Sequence, residues 1–168
     1  MKVKSSFAVV CLVCAAILIG GTMSSSEAAN IRIPVAEFTT DGGVETAPGN
    51  FYKLFSGGYL VGGTNSPCFV APVRLPNNAT TIKKVIVYFS DTSAADSPFF
   101  QLDAIDMETG TVTNYTIGNV TTGTPTIQGI ELPLSQTSLA KKRVYQLGTC
   151  LNSSEFFYGA KVVYSTAP

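Results

Sequence analysis
From residue 31 onward, apolar and polar positions alternate in short runs, with a period of two rather than the 3.6 of a helix. Residues 31–38 put Ile31, Ile33 and Val35 on one face. Residues 51–55 and 59–61 are shorter runs around Gly57 and Gly58. Residues 68–75 align Phe69, Ala71, Val73 and Leu75, and residues 82–90 align Val85, Val87 and Phe89. The latter run also carries Ile86 and Tyr88 on its other face, so a central strand covered on both sides is expected there. Residues 99–107 lead through Met107-Glu108-Thr109-Gly110, a hairpin-type turn, into 111–117. Runs at 127–134 and 144–151 follow, and residues 156–164 alternate strictly through Phe156, Tyr158, Ala160, Val162 and Tyr164. Val, Ile, Tyr, Phe and Thr fill these runs, and Gly, Pro, Asn and Asp bound them.

Nine or ten short strands joined by turns bury their faces most economically in two packed sheets. The expected fold is therefore all-β, an antiparallel two-sheet β-sandwich, jelly-roll-like. An immunoglobulin-type domain fits less well. It wants a Trp between its two cysteines and a Tyr two residues before the second, whereas this chain has no Trp and carries Gly148 at that place.

The first residues stand apart from this pattern. Lys2 and Lys4 precede an uncharged apolar run of 13 residues, 7–19, followed by Ser24, Ser25, Ser26, Glu27, Ala28 and Ala29. That layout reads as a secretory signal peptide, residues 1–28, cleaved after Ala28, since Ser26 and Ala28 supply the small residues that the cut requires. The run is short for a membrane span, which needs about 20 apolar residues; an uncleaved anchor is the alternative. Residues 29–168 then form one domain, secreted or periplasmic, without stable membrane insertion, and a bacterial source is expected.

Export changes how the cysteines read. Cys11 and Cys14 leave with the leader, so Cys68 and Cys150 form the single possible pair. Parity places both away from the core if Phe69, Val73, Tyr145 and Leu147 face inward. A bridge on the outer side of one sheet, or at a strand end, is expected.

Charge and composition exclude more than they assert. Losing Lys2, Lys4 and Glu27 leaves nine basic and ten acidic residues, so nothing electrostatic favours nucleic acid or anionic lipid. The one basic run, Lys141-Lys142-Arg143, reads as a solvated turn. The chain has no histidine, which removes Ser-His-Asp and Cys-His nucleophile systems and most zinc and copper sites. The glycines at 57–58 and 62–63 flank a short strand without the lysine of a phosphate-binding loop. Asp103 and Asp106 are near in sequence but of opposite parity, which argues against a carboxylate pair for glycoside hydrolysis. No enzyme activity is expected. Asn78, Asn114, Asn119 and Asn152 begin N-glycosylation patterns, which carry no meaning in a bacterial protein.

Two binding chemistries remain. Residues 90–97, with Asp91 and Asp96, make a compact oxygen-rich loop of the kind calcium accepts, although Asp and Ser also cap plain turns. No other cofactor is expected. Tyr52, Tyr59 and Tyr115 sit in short strands or beside turns and could form a sugar-stacking platform.

Leu75-Pro76-Asn77-Asn78-Ala79-Thr80-Thr81-Ile82, running into Val85-Ile86-Val87-Tyr88-Phe89 and Asp91, resembles a pattern in uncharacterised exported bacterial β-sandwich proteins. Gly159-Ala160-Lys161-Val162-Val163-Tyr164 is similar to their last strand. The resemblance implies a secreted β-sandwich and carries over no catalytic residue. The sequence reading is thus an exported, non-enzymatic module binding a protein or glycan partner through its surface. A carbohydrate-binding module with a Tyr platform is the alternative.

Overall fold
The computed structural model describes residues 28–40, 52–54, 58–63, 66–95, 97–120 and 123–167. Eleven strands occur among them: β1 (Ala28–Pro34), β2 (Thr39–Thr40), β3 (Tyr52–Leu54), β4 (Tyr59–Val61), β5 (Cys68–Val73), β6 (Ala79–Asp91), β7 (Phe99–Asp106), β8 (Val112–Asn119), β9 (Gln128–Leu132), β10 (Arg143–Cys150) and β11 (Glu155–Thr166). They build two antiparallel sheets. One runs β3-β4-β11-β6-β9, with β1 pairing β11 beside β4; the other runs β2-β5-β10-β7-β8. From β5 to β11 the chain passes between the sheets repeatedly, and only β7 and β8 are consecutive neighbours within one. This is the all-β, jelly-roll-like sandwich that the alternation predicts.

Period-two alternation becomes layering directly. Along β10, Tyr145, Leu147 and Thr149 are buried between Gln146, Gly148 and Cys150. Along β6, Val85, Val87 and Phe89 are fully buried. Phe89 and Phe157 from one sheet meet Phe100 from the other, with ring centroids 5.6 and 5.7 Å from Phe100, and Phe38 packs edge-on against Phe157 at 4.9 Å. These rings lock the two layers together, since tilted and edge-on aromatic pairs contribute beyond their buried area.

Three details refine or differ from the sequence expectation. The run at 31–38 does not stay extended: β1 ends at Pro34, and Val35–Glu37 form a 3-10 turn. Proline has no N–H to continue the ladder. Pro72 is tolerated inside β5 because β2 reaches only Phe69 and Val70, leaving the rest of that edge unpaired by β2. Finally, β6 is central, between β11 and β9, but Ile86 and Tyr88 on its outer face are only half-buried.

Candidate functional site
The outer face of the five-stranded sheet carries the most developed site. Ladder register sets its rows. Cys68, Cys150, Phe99 and Asn119 lie abreast on β5, β10, β7 and β8. The next row is Val70, Gly148, Gln101 and Ile117, and the next is Pro72, Gln146, Asp103 and Asn114. Gly148 has no side chain at the centre of this face, and its neighbours enclose a cleft of about 300 Å³. Phe99, Gln101, Asp103, Gln146 and the Cys68–Cys150 bridge line it.

Asp103 organises the polar half. It stands on an outward position yet is only 6% exposed. Gln101 donates its Nε2 to Oδ2 at 2.6 Å, and Asn114 donates its Nδ2 to Oδ1 at 2.6 Å. An ionised carboxylate only accepts, so both amides must present N–H to it and keep their oxygens for other partners. The Gln146 side chain makes no hydrogen bond to the described residues. The cleft thus combines one aromatic wall, fixed amides and a carboxylate, and Asp103 is the one charged residue in its lining. Pockets that bind organic ligands share this mixture of apolar surface and a few placed polar groups.

The bridge between Cys68 and Cys150 is formed, with Cα atoms 4.0 Å apart. The two residues are direct cross-strand partners within one sheet and face outward, as parity requires.

Of the three tyrosines chosen from the sequence, Tyr115 is not on the surface. Tyr115 is fully buried, edge-on to Tyr145 with centroids 5.6 Å apart, and its hydroxyl donates to the carbonyl of Ser138 at 2.5 Å. Its ring cannot reach a sugar, which corrects its assignment to a stacking platform. Burial, then the Tyr115 hydroxyl beside it, pushes the Tyr145 phenol up to about 12, so Tyr145 stays a neutral core group. Tyr52 lies on β3 opposite Val61; its side chain is outside the described part of the structure. Tyr59 is half-buried on the outer face of the six-stranded sheet. It meets Phe156 at 5.5 Å and Tyr158 at 5.7 Å, partners that no linear pattern indicated.

The acids separate too. Asp106 caps the β7–β8 hairpin, accepting the N–H groups of Glu108 and Thr109 at 2.9 and 3.0 Å. The Thr109 N–H first, then that of Glu108, holds its carboxyl below the usual range. It takes no part in the Asp103 network. Asp91 ends β6, fully buried, and accepts the Ser93 N–H at 2.8 Å in a local turn. Asp96 lies outside the described residues. No group of three acids or cysteines gathers among the described residues.

No helix among the described residues is long and apolar enough to cross a membrane. No family model matches the sequence, and no curated protein matches it. Solved structures do align with it. A xylan-binding module, CBM15, covers 84% of this chain and 100% of its own, at 10% identity and a TM-score of 0.49. The CBM22-1–GH10 modules of a Clostridium thermocellum endo-1,4-β-D-xylanase align over 84% of this chain at 10% identity and a TM-score of 0.47. A Podospora anserina GH26-CBM35 β-(1,4)-mannanase aligns over 85% at 9% identity and 0.45. This chain spans 28% of the xylanase and 29% of the mannanase.

Proposed function
We propose that this protein is an exported, non-catalytic binding module that takes a neutral carbohydrate chain across the outer face of its five-stranded sheet. The observation that carries this reading is the Gly148 cleft with its buried, doubly amide-bonded Asp103. Sugars offer an apolar C–H face and a rim of hydroxyls that both donate and accept. Phe99 suits the first, and Gln101, Gln146 and Asp103 suit the second. Amides already tied to a carboxylate are fixed before the ligand arrives, which lowers the ordering cost of binding. A carboxylate in a lining without a cation disfavours uronic acids, because like charges brought together cost affinity. Export is supported by the layout of residues 1–28 and by the Cys68–Cys150 bridge, which suits an oxidising compartment.

A second placement of the same function rests on the Tyr59–Phe156–Tyr158 cluster, which keeps one member of the tyrosine platform expected from sequence. Titration of soluble neutral polysaccharides separates the two. Phe99→Ala and Gln146→Ala are each expected to weaken binding by about tenfold or more, equivalent to ~1.4 kcal/mol, while Tyr59→Ala leaves it unchanged. Loss of binding in Tyr59→Ala alone moves the site to the other sheet. Absence of binding to any glycan, with a protein captured instead, replaces the carbohydrate reading with a protein-docking one.

A further inference from the structure
Where β6 runs out, Asp91 and Glu155 stand directly opposite each other on adjacent strands. Two positions from the inward-facing Phe89 and Phe157 pair, they continue the core face, and both are fully buried. Each has one oxygen held by a backbone N–H. Ser93 donates to Asp91 Oδ1 at 2.8 Å, and Asn152 donates to Glu155 Oε2 at 2.6 Å. The other oxygen of Asp91, Oδ2, is buried without a hydrogen-bond partner among the described residues. A second observation comes from the facing sheet. The inward Thr149, next to Cys150 on β10, is 1% exposed, and its hydroxyl is also buried without a partner among the described residues.

A buried carboxylate oxygen without a partner is costly. A cation between the two groups removes that penalty. We propose that Asp91 and Glu155 hold a calcium ion that ties the end of β6 to the start of β11. The donors are all oxygens: the chain has no histidine, and Cys68 and Cys150 are bonded to each other. That set selects a hard cation over zinc or copper. Backbone carbonyls are at hand as well. Those of Thr124, Asn152 and Ser154 accept the N–H groups of Asp91, Glu155 and Thr92, and each carbonyl has a second lone pair. Calcium tolerates such an irregular mixture, whereas magnesium demands a near-ideal octahedron. The pair differs from the Asp91 and Asp96 combination that the loop suggested, because Glu155 comes from the neighbouring strand β11 rather than from the same loop. It shares no residue with the proposed sugar contacts, so the two proposals stand or fall separately.

The test uses the full exported chain, stripped with chelator and then titrated with calcium chloride by calorimetry and by thermal melting. One calcium per chain is expected, with a melting temperature about 5 °C or more above the chelated protein at low-millimolar calcium, and a smaller effect of magnesium. Asp91→Asn and Glu155→Gln keep the shape and remove one charge each. Both should lose about tenfold or more in calcium affinity while melting no lower than wild type in chelator. Glu108→Gln, which alters an exposed ion pair with Lys142, should change neither. A wild-type chain with no heat of binding and the same melting temperature in calcium and in chelator overturns the proposal. So does calcium affinity unchanged in both substitutions. Should both substitutions fail to fold, the wild-type titration decides alone.

Discussion
Gly62→Ala is expected to destabilise the fold by about 3 kcal/mol or more, at the severe end for added volume in a packed site. A Cβ on Gly62 would lie 1.8 Å from the carbonyl oxygen of Leu151, 2.1 Å from its carbon and 2.6 Å from the carbonyl oxygen of Asn152. All three are backbone atoms, so no side chain can swing aside. The backbone they belong to is held in turn: Leu151 N–H donates to Pro67 at 3.2 Å, and Asn152 N–H donates to Glu155. Relief therefore requires moving the loop that connects the cleft strand β10 to β11. A contrasting substitution calibrates the effect. A Cβ on Gly148 would find nothing closer than 3.8 Å, so Gly148→Ala should change stability by no more than about 0.5 kcal/mol. Thermal melting of the two variants checks this, and equal melting temperatures would refute the packing described around Gly62.

Removing the bridge with the Cys68→Ala, Cys150→Ala pair is expected to cost up to roughly 4.5 kcal/mol on the chain-entropy model, lowering the melting temperature by roughly 10 °C for a domain of this size. The reason lies mainly in the unfolded chain. The bridge joins residues 82 apart in sequence, and without it the unfolded ensemble regains that freedom. The folded state needs less help, because β5 and β10 already pair from Tyr145–Val73 through to the cysteines themselves. The strands should therefore remain aligned and carbohydrate binding should persist below the lowered melting temperature. Calorimetric melting with and without reductant gives the same comparison for the native sequence. A reduced protein melting within about 2 °C of the oxidised one would show that the bridge does not act through loop closure.

The layers were legible because period-two alternation maps directly onto the two faces of a strand. Parity placed Cys68 and Cys150 outward, and that holds. Parity fails where a ladder slips. Between Leu102 and Asp103 the β7–β8 register shifts, so that Leu102 faces Thr116 and Asp103 faces Asn114. Tyr115 is the extra residue of that bulge, and both it and Thr116 are buried. No local signal in Asn114-Tyr115-Thr116 announces the slip, so the ring read as exposed. The cleft was illegible for a different reason. Phe99 and Gln101, Gln146 and Gly148, and Asn114 come from three strands with no motif linking them. In the sequence Gly148 reads only as a mismatch to the immunoglobulin pattern. Asp103 reads there against Asp106, its neighbour in sequence, whereas its partners are amides. Nothing in the linear pattern singles out Glu155, because its opposite number, Asp91, lies across the β6–β11 ladder rather than in the same loop.

The most direct test is calorimetric titration of neutral soluble polysaccharides against wild type and Gly148→Val. Valine suits a strand and its Cβ meets no steric obstacle at 3.8 Å, yet its methyl groups occupy the floor of the cleft. The account predicts saturable binding by wild type and a loss of about tenfold or more in Gly148→Val at an unchanged melting temperature. Equal affinity in the two proteins would contradict it.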